Sequence, residues 1–325
     1  MKFEVFADEN YKERMDSEVG AWWKEHIRKP RYASYDGTKI QGYYALNPEA
    51  AHAIVLVHGF TEYTEKFSEI LYYFYEEGYS VFMMDQRGHG RSGRKTDNPD
   101  LVYVDSFEEY VLDLKYFIER IVRKYAPDLP LFLYGHSMGG CISGLFLERY
   151  PDAFRAAVLT SPMLKIDFGS LPDPAVNAMA TFSRIVNREK RPAPGAVPFS
   201  PKPDFPGTCA TSEARYLYTL GQQIAHKAYR TCGATFGWVR AAIGATEQVL
   251  RNAALADLPI LICQAGIDTL VDNAGQEVFA ANAPDARIVR FPTSKHEIYR
   301  SPKDVLEVYM KTVLGFLEEH KEERK

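Results

Sequence analysis

The chain has 325 residues, of which 46% are hydrophobic and 25% are charged, and its formal net charge at pH 7 is −4. This composition is ordinary for a soluble globular protein and allows one large domain or a core with an inserted unit. The small negative charge gives no electrostatic reason to expect a nucleic-acid or acidic-lipid partner. A membrane-spanning helix is excluded because no apolar run reaches the roughly 18 residues it needs.

The N-terminal stretch MKFEVFADENYKERMDSEVG carries charges throughout and lacks the apolar run of a secretory signal, so we expect a cytoplasmic protein. The four cysteines do not have the spacing of metal ligands. Cys141 and Cys263 lie in apolar runs and are expected to be small buried side chains. Spacing alone leaves a disulfide between Cys209 and Cys232 open, but a cytoplasmic location disfavours it.

Short apolar runs alternate along the chain with amphipathic helical patterns, which predicts a mostly parallel sheet with helices on both faces. The first two runs flank Asp36 and Gly37 and predict a hairpin. The later runs are almost continuously apolar, as is typical of strands buried on both faces. The predicted strands are residues 31–35 and 40–45 of the hairpin, then 53–57, 81–84, 131–134, 156–159, 260–263 and 288–291.

The alternation breaks between residues 162 and 255. This segment has three helix-like stretches, residues 174–188, 211–226 and 235–250, and no clear strand. It also contains the run RPAPGAVPFSPKPDFP, whose prolines exclude a regular helix or an inner strand. We therefore predict an α/β core in two parts, residues 1–161 and 256–325, with residues 162–255 inserted between them as a helical cap.

The most informative motif is GHSMGG at residues 135–140, which follows an apolar run and precedes a helix-like run. The pattern G-x-S-x-G between a strand and a helix is typical of a serine nucleophile on a sharp turn. Gly135 and Gly139 permit a turn so tight that a side chain at either position would clash. We predict that Ser137 is a nucleophile at the positive end of the following helix dipole. The alternative is a glycine-rich turn without chemistry.

A serine hydroxyl needs a base that removes its proton and a third group that orients the base. In enzymes with this motif the order along the chain is serine, acid, histidine. Of the eight histidines, only His296 and His320 follow the candidate acids. His320 lies in the charged tail, whereas His296 follows the last predicted strand by a short loop. We predict that His296 is the base, with an ordinary surface histidine as the alternative.

The acid is expected just after the preceding strand, residues 260–263. The sequence QAGIDTLVDN follows that strand and offers Asp268 and Asp272. Asp272 is well placed to cap the helix that begins near Asn273. Asp268 lies in the loop and is the favoured partner of His296, where its carboxylate would stabilise the imidazolium formed during attack.

A tetrahedral oxyanion needs two backbone donors. We expect one from the N–H of Met138, next to the nucleophile, and the other from the N–H of Phe60 in the loop HGFT after residues 53–57. His58 in that loop resembles a catalytic histidine in its surroundings. We expect it to hold the loop by hydrogen bonds, because it precedes the glycine and points away from the oxyanion.

The loop DQRGHGRSGR, residues 85–94, is rich in turn residues and charge. Arg87 or Arg91 could recognise a substrate phosphate, since guanidinium groups bind phosphates well. Alternatively, Asp85, Arg87 and Ser92 hold the loop together by internal hydrogen bonds. We favour the second interpretation.

Aromatic side chains of the predicted cap are candidates for the walls of an acyl pocket. We single out Phe199, Tyr218 and Trp238 for this role. Packing within the cap explains the same residues equally well, because large aromatic side chains dominate cores and binding pockets alike.

The order of HGF, DxRGHGxS, GHSMGG, GxxD and the final histidine resembles the α/β-hydrolase superfamily. The stretches DNAGQE, KHEI and FGWVRAAIGATEQVL are similar to bacterial lysophospholipases of the L2 type and to monoacylglycerol lipases. The resemblance covers residues 32–317 and is weakest in the cap, where the proline run departs from it. It implies the α/β-hydrolase fold, a triad of Ser137, Asp268 and His296, and oxyanion donors at Phe60 and Met138.

We therefore expect a serine hydrolase of lysophospholipids or monoacylglycerols that needs no metal or cofactor. Its partner would be a small-molecule or lipid ester, and peripheral contact with a membrane stays open, as does the oligomeric state. A peptidase of the proline-iminopeptidase type has the same core motifs but needs a cap carboxylate, for which Glu213 and Glu247 are available. A third alternative is an inactive hydrolase-fold binding protein, although such proteins usually lack a triad member.

Overall fold

An eight-stranded sheet forms the centre of the computed structural model, which describes residues 1–169 and 172–322. The strands are β1 (Arg31–Ala33), β2 (Lys39–Ala45), β3 (His52–Val57), β4 (Tyr79–Met84), β5 (Leu101–Val102), β6 (Leu131–His136), β7 (Ala157–Thr160), β8 (Gly233–Ala234), β9 (Ile260–Ala265) and β10 (Ala286–Phe291). The order across the main sheet is β1-β2-β4-β3-β6-β7-β9-β10, and β5 pairs separately with β8. Strand β2 runs antiparallel to β1 and β4, and the other neighbours in the main sheet are parallel.

Helices cover both faces of the sheet. They are α1 (Tyr11–Arg14), α2 (Gly20–His26), α3 (Ser68–Glu77), α4 (Glu108–Phe117), α5 (Arg123–Tyr125), α6 (Met138–Leu147), α7 (Asp173–Ile185), α8 (Glu213–Ala225), α9 (Phe236–Arg251), α10 (Asn273–Asn282) and α11 (Lys303–Glu319). Short π-helical turns join α1 to α2 and α4 to α5. Helix α3 ends as predicted at Gly78, whose φ of 104° suits a residue without a side chain.

Alternate side chains of the central strands enter two separate cores. In β3, Val55 and Val57 belong to the core beneath α4, α6 and α9, whereas Ile54 and Leu56 belong to the core beneath α3 and α11. Successive strand residues point to opposite faces, so a strand covered on both sides must be apolar throughout. The predicted fold class is confirmed, with each predicted strand overlapping an observed one.

Residues 162–255 contain α7, α8 and α9 at the predicted helical stretches. The expectation that this segment has no strand is wrong for β8, which pairs in parallel with β5. A strand of two residues is too short to produce an apolar run in the sequence. The proline-rich run forms no helix, and its one β-type pairing is an isolated bridge between Pro192 and Thr235. The division into two core parts and an inserted cap stays a prediction.

The buried guanidinium of Arg87 lies within a group of carboxylates. Its Nε donates to Asp113 Oδ2 at 2.6 Å, its Nη1 donates to Asp36 Oδ2 at 2.9 Å, and Nη1 also contacts Glu109. Burial disfavours the charged guanidinium, but the hydrogen bonds and charges of Asp113 and the other carboxylates outweigh this effect and raise the pKa of Arg87. Arg87 is therefore engaged inside the protein and is not presented to a phosphate.

The remainder of the loop at residues 85–94 is also held from within. The Asp85 carboxylate accepts hydrogen bonds from the backbone N–H groups of Thr64 and Arg91, each at 2.8 Å. Ser92 Oγ donates to the carbonyl oxygen of Asp85 at 2.6 Å. These contacts support the favoured interpretation, in which Asp85, Arg87 and Ser92 stabilise the loop.

Candidate active site

Ser137 occupies a sharp turn between the end of β6 and the start of α6. Its backbone has a φ of 53° and a ψ of −119°. A non-glycine residue with positive φ is strained and persists only where the surrounding structure enforces it. Here the N–H of Ser137 donates to the Thr160 carbonyl, and its own carbonyl accepts from the N–H groups of Gly140, Cys141 and Met163. The turn therefore raises the Ser137 side chain above the carboxyl edge of the sheet.

Two glycines make this turn sterically allowed. A Cβ placed on Gly135 would lie 2.5 Å from Ser143 Oγ and 2.8 Å from the Gly139 carbonyl oxygen. A Cβ on Gly139 would lie 2.0 Å from the carbonyl oxygen of Val57 at the end of β3. Backbone atoms cannot yield as a flexible side chain can, so the sequence pattern G-x-S-x-G is a packing requirement at both positions.

Ser137, His296 and Asp268 are joined by two short hydrogen bonds. The distance from Ser137 Oγ to His296 Nε2 is 2.8 Å, and that from His296 Nδ1 to Asp268 Oδ2 is 2.7 Å. A carboxylate oxygen only accepts, so Nδ1 carries the imidazole proton and Nε2 presents a lone pair to the serine hydroxyl. The side chains of His296 and Asp268 are buried. The three residues predicted from the sequence therefore lie together, in the order that a nucleophile, a base and an orienting acid require.

The Asp268 carboxylate is held by its own loop. Its Oδ1 accepts from the backbone N–H groups of Leu270 and Val271, at 2.9 and 3.2 Å. Burial favours the neutral acid, but the hydrogen bond and charge of His296 and these two N–H groups outweigh it, so the pKa of Asp268 lies below its ordinary value. Asp272 instead accepts from the N–H of Ala274 and caps α10, as expected.

Two backbone N–H groups next to Ser137 are free to bind an anion. Met138 is the first residue of α6, and the initial N–H groups of a helix have no intrahelical partner. Within residues 1–169 and 172–322, neither the Met138 N–H nor the Phe60 N–H donates a hydrogen bond. A Cβ built on Gly59, the residue before Phe60, would lie 2.9 Å from Ser137 Cβ. The loop of Phe60 therefore lies directly against the serine.

His58 holds this loop in the manner expected. Its Nε2 accepts from the Gln86 N–H at 2.9 Å, so its Nδ1 carries the proton and donates to the Gly59 carbonyl oxygen at 2.8 Å. Burial lowers the pKa of His58 and favours the neutral ring, although the charge of Asp85 opposes this shift. Both ring nitrogens of His58 are engaged by the backbone, and neither bonds to Ser137.

The chain is similar in sequence to known enzymes. The family model described as serine aminopeptidase, S33 (Hydrolase_4) matches residues 48–303. Lysophospholipase L2 of Escherichia coli K12 is 31% identical over 275 residues, which cover 82% of this chain and 80% of that protein. The monoacylglycerol lipase of Mycolicibacterium smegmatis is 27% identical over 255 residues, covering 78% of this chain and 84% of that protein.

Among solved structures, a soluble variant of Saccharomyces cerevisiae monoglyceride lipase in complex with a substrate analogue has a TM-score of 0.73 at 20% identity, over 91% of this chain and 96% of that one. A Bacillus coagulans carboxyl esterase in complex with glycerol has a TM-score of 0.74 at 15% identity, over 91% and 99%. The chain belongs to the Hydrolase_4 family of α/β hydrolases. Its predicted resemblance to the lysophospholipase L2 and monoacylglycerol lipase group is confirmed.

The three predicted pocket residues have separate surroundings in this α/β hydrolase. The buried Trp238 packs on Phe60, with ring centroids 4.2 Å apart. The guanidinium carbon of Arg230 lies over the Phe199 ring, 5.1 Å from the ring centroid. Tyr218 donates to Asp16 Oδ1 at 3.2 Å. Only Trp238 has a contact that joins it to the loop beside Ser137, and the acyl-pocket role of all three stays a prediction.

A group of buried charges beside His296 was missed by the sequence analysis. Lys66 Nζ lies 2.8 Å from Glu62 Oε1 and 2.5 Å from Glu297 Oε1, and Arg300 Nη1 lies 2.5 Å from Glu297 Oε2. Glu62 follows the HGFT loop, and Glu297 follows His296 in the chain. Charged residues directly next to two predicted site motifs were the available signal. In the described residues, no group of three or more His, Cys, Asp or Glu side chains is arranged to hold a metal ion.

Substituting Gly139 by alanine tests whether the turn at Ser137 depends on the close approach of Val57. We expect Gly139→Ala to lower the free energy of unfolding by about 3 kcal/mol, since overpacking against backbone forces the chain to move. Gly244→Ala is the matched control, because a Cβ at this helical glycine meets nothing within 4 Å and should stabilise by about 0.5–1 kcal/mol. Urea unfolding of both variants measures the difference, and equal effects would contradict the steric account.

Proposed function

We propose that this α/β hydrolase cleaves carboxylic esters through an acyl-enzyme formed on Ser137. The observation that carries the proposal is the unbroken chain of hydrogen bonds from Ser137 Oγ through His296 to Asp268. Two free backbone N–H groups beside the same hydroxyl, those of Phe60 and Met138, complete the set of groups that acyl transfer needs.

The first half of the reaction forms the acyl-enzyme. Ser137 Oγ attacks the ester carbonyl carbon while His296 Nε2 accepts the hydroxyl proton, and the carbonyl π electrons move to oxygen. The Phe60 and Met138 N–H groups donate to that oxyanion, and Asp268 stabilises the imidazolium. The carbonyl then re-forms as the C–O bond to the alcohol breaks, and His296 gives its proton to the leaving alcohol.

The second half releases the acid. Water attacks the acyl carbonyl of Ser137 while His296 Nε2 takes a proton from the water. Collapse of the second tetrahedral intermediate breaks the bond to Ser137 Oγ, which recovers its proton from His296. The residues described supply a nucleophile, a base and oxyanion donors, so the proposed reaction uses no metal or cofactor.

We propose lysophospholipids or monoacylglycerols as the substrate class. The support comes from relatives named lysophospholipase L2 and monoacylglycerol lipase that cover most of this chain. The peptidase alternative needs a carboxylate that binds a free amine. Both candidates, Glu213 and Glu247, are solvent-exposed, where a carboxylate is well hydrated and attracts an ammonium group weakly. The ester reaction is therefore favoured.

Hydrolysis of a substrate panel tests this proposal. We expect lysophosphatidylcholine or monoacylglycerol, together with p-nitrophenyl esters, to be cleaved and prolyl-naphthylamide to be left intact. Ser137→Ala should reduce the rate by roughly 10⁶-fold, as removal of a nucleophile does in serine hydrolases. Cleavage of short esters without either lipid would contradict the substrate class, and exclusive amide cleavage would contradict the reaction.

Helix α7 carries an apolar surface suited to lipid aggregates. Phe182 and Ile185 are 61% and 74% exposed, whereas Val176 and Ala180 on another face of the helix are buried. Arg184 is also exposed. Amphipathic helices with such surfaces bind at membrane interfaces. We propose peripheral contact with a lipid surface through α7. Every helix within residues 1–169 and 172–322 is too short or too polar to span a bilayer.

Sedimentation with vesicles of mixed phosphatidylcholine and phosphatidylglycerol tests this contact. We expect wild-type protein to sediment with the vesicles and the double variant Phe182→Ser, Ile185→Ser to stay in the supernatant, with equal hydrolysis of a monomeric ester by both. Val308→Ser is a matched control, because Val308 on α11 is also exposed. Equal sedimentation of all three proteins would overturn the assignment to α7.

The cytoplasmic location expected from the sequence stays a prediction.

A further inference from the structure

The peptide group between Gly59 and Phe60 is oriented from its carbonyl side. The Gly59 carbonyl oxygen and the Phe60 N–H belong to the same planar unit and point in opposite directions. The His58 Nδ1–H donates to this carbonyl oxygen at 2.8 Å. Any group that holds the Gly59 carbonyl oxygen therefore fixes the direction of the Phe60 N–H, which is the proposed oxyanion donor.

Glu62 contacts the peptide groups on both sides of the Gly59 Cα. Its Oε2 accepts from the Gly59 N–H at 2.6 Å, and its own N–H donates to the Gly59 carbonyl oxygen at 3.4 Å. The turn that brings the Glu62 side chain back passes through Thr61, whose φ of 62° is unusual for a β-branched residue. A strained turn of this kind is maintained only by strong contacts, and a carboxylate bound to a backbone N–H is one of them.

There is little space for Gly59 to move. A Cβ built on it would lie 2.8 Å from Glu62 Oε2 and 2.9 Å from Ser137 Cβ. The Gly59 backbone is therefore packed between the nucleophile on one side and the Glu62 carboxylate on the other. Removing the carboxylate opens one of these two sides and leaves the Gly59 N–H without its buried acceptor.

The second oxygen of Glu62 reaches the loop that carries the base. Its Oε1 accepts from the Tyr299 hydroxyl at 2.6 Å and forms an ion pair with Lys66 Nζ at 2.8 Å. Lys66 Nζ also donates a hydrogen bond to Glu297 Oε1, and Glu297 is the residue after His296 in the chain. One buried carboxylate thus joins the HGFT loop, called the oxyanion loop from here on, to the segment that positions His296.

Glu62 is ionised in this position. Burial favours its neutral form, but Lys66, His136 and the Tyr299 hydroxyl outweigh this effect and hold its pKa well below the ordinary value. The charged form only accepts hydrogen bonds, and donors contact both of its oxygens. A glutamine would turn an amide NH₂ toward one of these donors, so it cannot make the same set of contacts.

We propose that Glu62 is a positioning residue that fixes the direction of the Phe60 N–H and couples the oxyanion loop to the loop of His296. It contacts neither the substrate nor the reacting atoms; it acts through Gly59 and Tyr299. This inference rests on the proposed ester hydrolysis at Ser137. Replacing Glu62 should therefore slow only those reaction steps, and weaken only those inhibitors, in which an oxyanion forms.

Steady-state kinetics of Glu62→Gln on a p-nitrophenyl ester measure this effect. We expect kcat to fall by roughly 100-fold, as a misplacement of about 1 Å can cause, with KM within about threefold of wild type. Tyr299→Phe removes one hydrogen bond from an uncharged donor to the same carboxylate and should lower kcat by roughly 2–10-fold. Glu69→Gln is the matched control: Glu69 is a similarly buried carboxylate, but its oxygens accept hydrogen bonds from Tyr11, Tyr73 and Arg215.

A transition-state analogue separates positioning from general structural damage. A trifluoromethyl ketone matched to the substrate adds to Ser137 and places its oxyanion at the Phe60 and Met138 N–H groups. The corresponding alcohol fills the same pocket without an oxyanion. For Glu62→Gln, the Ki of the ketone should rise in parallel with the loss of kcat/KM, while the Ki of the alcohol stays within about threefold. Glu69→Gln should leave both values near wild type.

The outcomes distinguish the two proposals. Wild-type activity no greater than that of Ser137→Ala contradicts ester hydrolysis at Ser137. An active wild type with a folded Glu62→Gln whose kcat is unchanged contradicts the positioning role alone. Equal rises in Ki for the ketone and the alcohol also overturn the positioning role. So does a loss of kcat in Glu69→Gln as large as that in Glu62→Gln. If Glu62→Gln does not fold, Tyr299→Phe decides, and an unchanged kcat in that variant contradicts the inference.

Discussion

The close approach of two backbone segments at Gly139 governs the arrangement of the candidate site. A Cβ at this position would lie 2.0 Å from the Val57 carbonyl oxygen, so the start of α6 packs directly under the end of β3. This contact places Ser137 in its strained conformation and leaves the Met138 N–H free. It also brings the loop after β3 against the serine. The positions of the proposed nucleophile and of both proposed oxyanion donors therefore follow from one steric constraint. The loops after β9 and β10 add Asp268 and His296.

Buried charge fixes the loops that the sheet alone does not. Two carboxylates and two cations form one network of ion pairs with N···O distances between 2.5 and 2.8 Å; its members are Glu62, Lys66, Glu297 and Arg300. Taking such groups out of water is costly unless each has a partner, and removing one leaves the others uncompensated. The network holds the proposed oxyanion loop and the histidine loop in one relative position. A site that stabilises a developing charge without reorganisation needs this kind of rigidity.

The sheet and the three candidate residues Ser137, Asp268 and His296 could be predicted because both leave signals in the sequence. Strands buried on two faces form apolar runs. The chain order of serine, acid and histidine reduced eight histidines to two, and the position after the last strand favoured His296 over His320. Glu62 and Lys66 lie close to a predicted motif, but this position does not reveal their roles, which arise from partners such as Tyr299, more than 200 residues away in the chain. The β5–β8 pairing is too short to leave a pattern. The aromatic residues of the 162–255 segment could not be ranked, because their surroundings depend on how its helices pack.

Covalent labelling of the folded protein with a fluorophosphonate tests the central claim most directly, since it requires the nucleophile, the base and the oxyanion donors together. Intact mass and peptide mapping should show one equivalent of adduct on Ser137, with labelling abolished in Ser137→Ala and after unfolding in urea. Absence of an adduct in the folded protein, or an adduct on another residue, would contradict the account and favour a hydrolase fold that only binds its ligand.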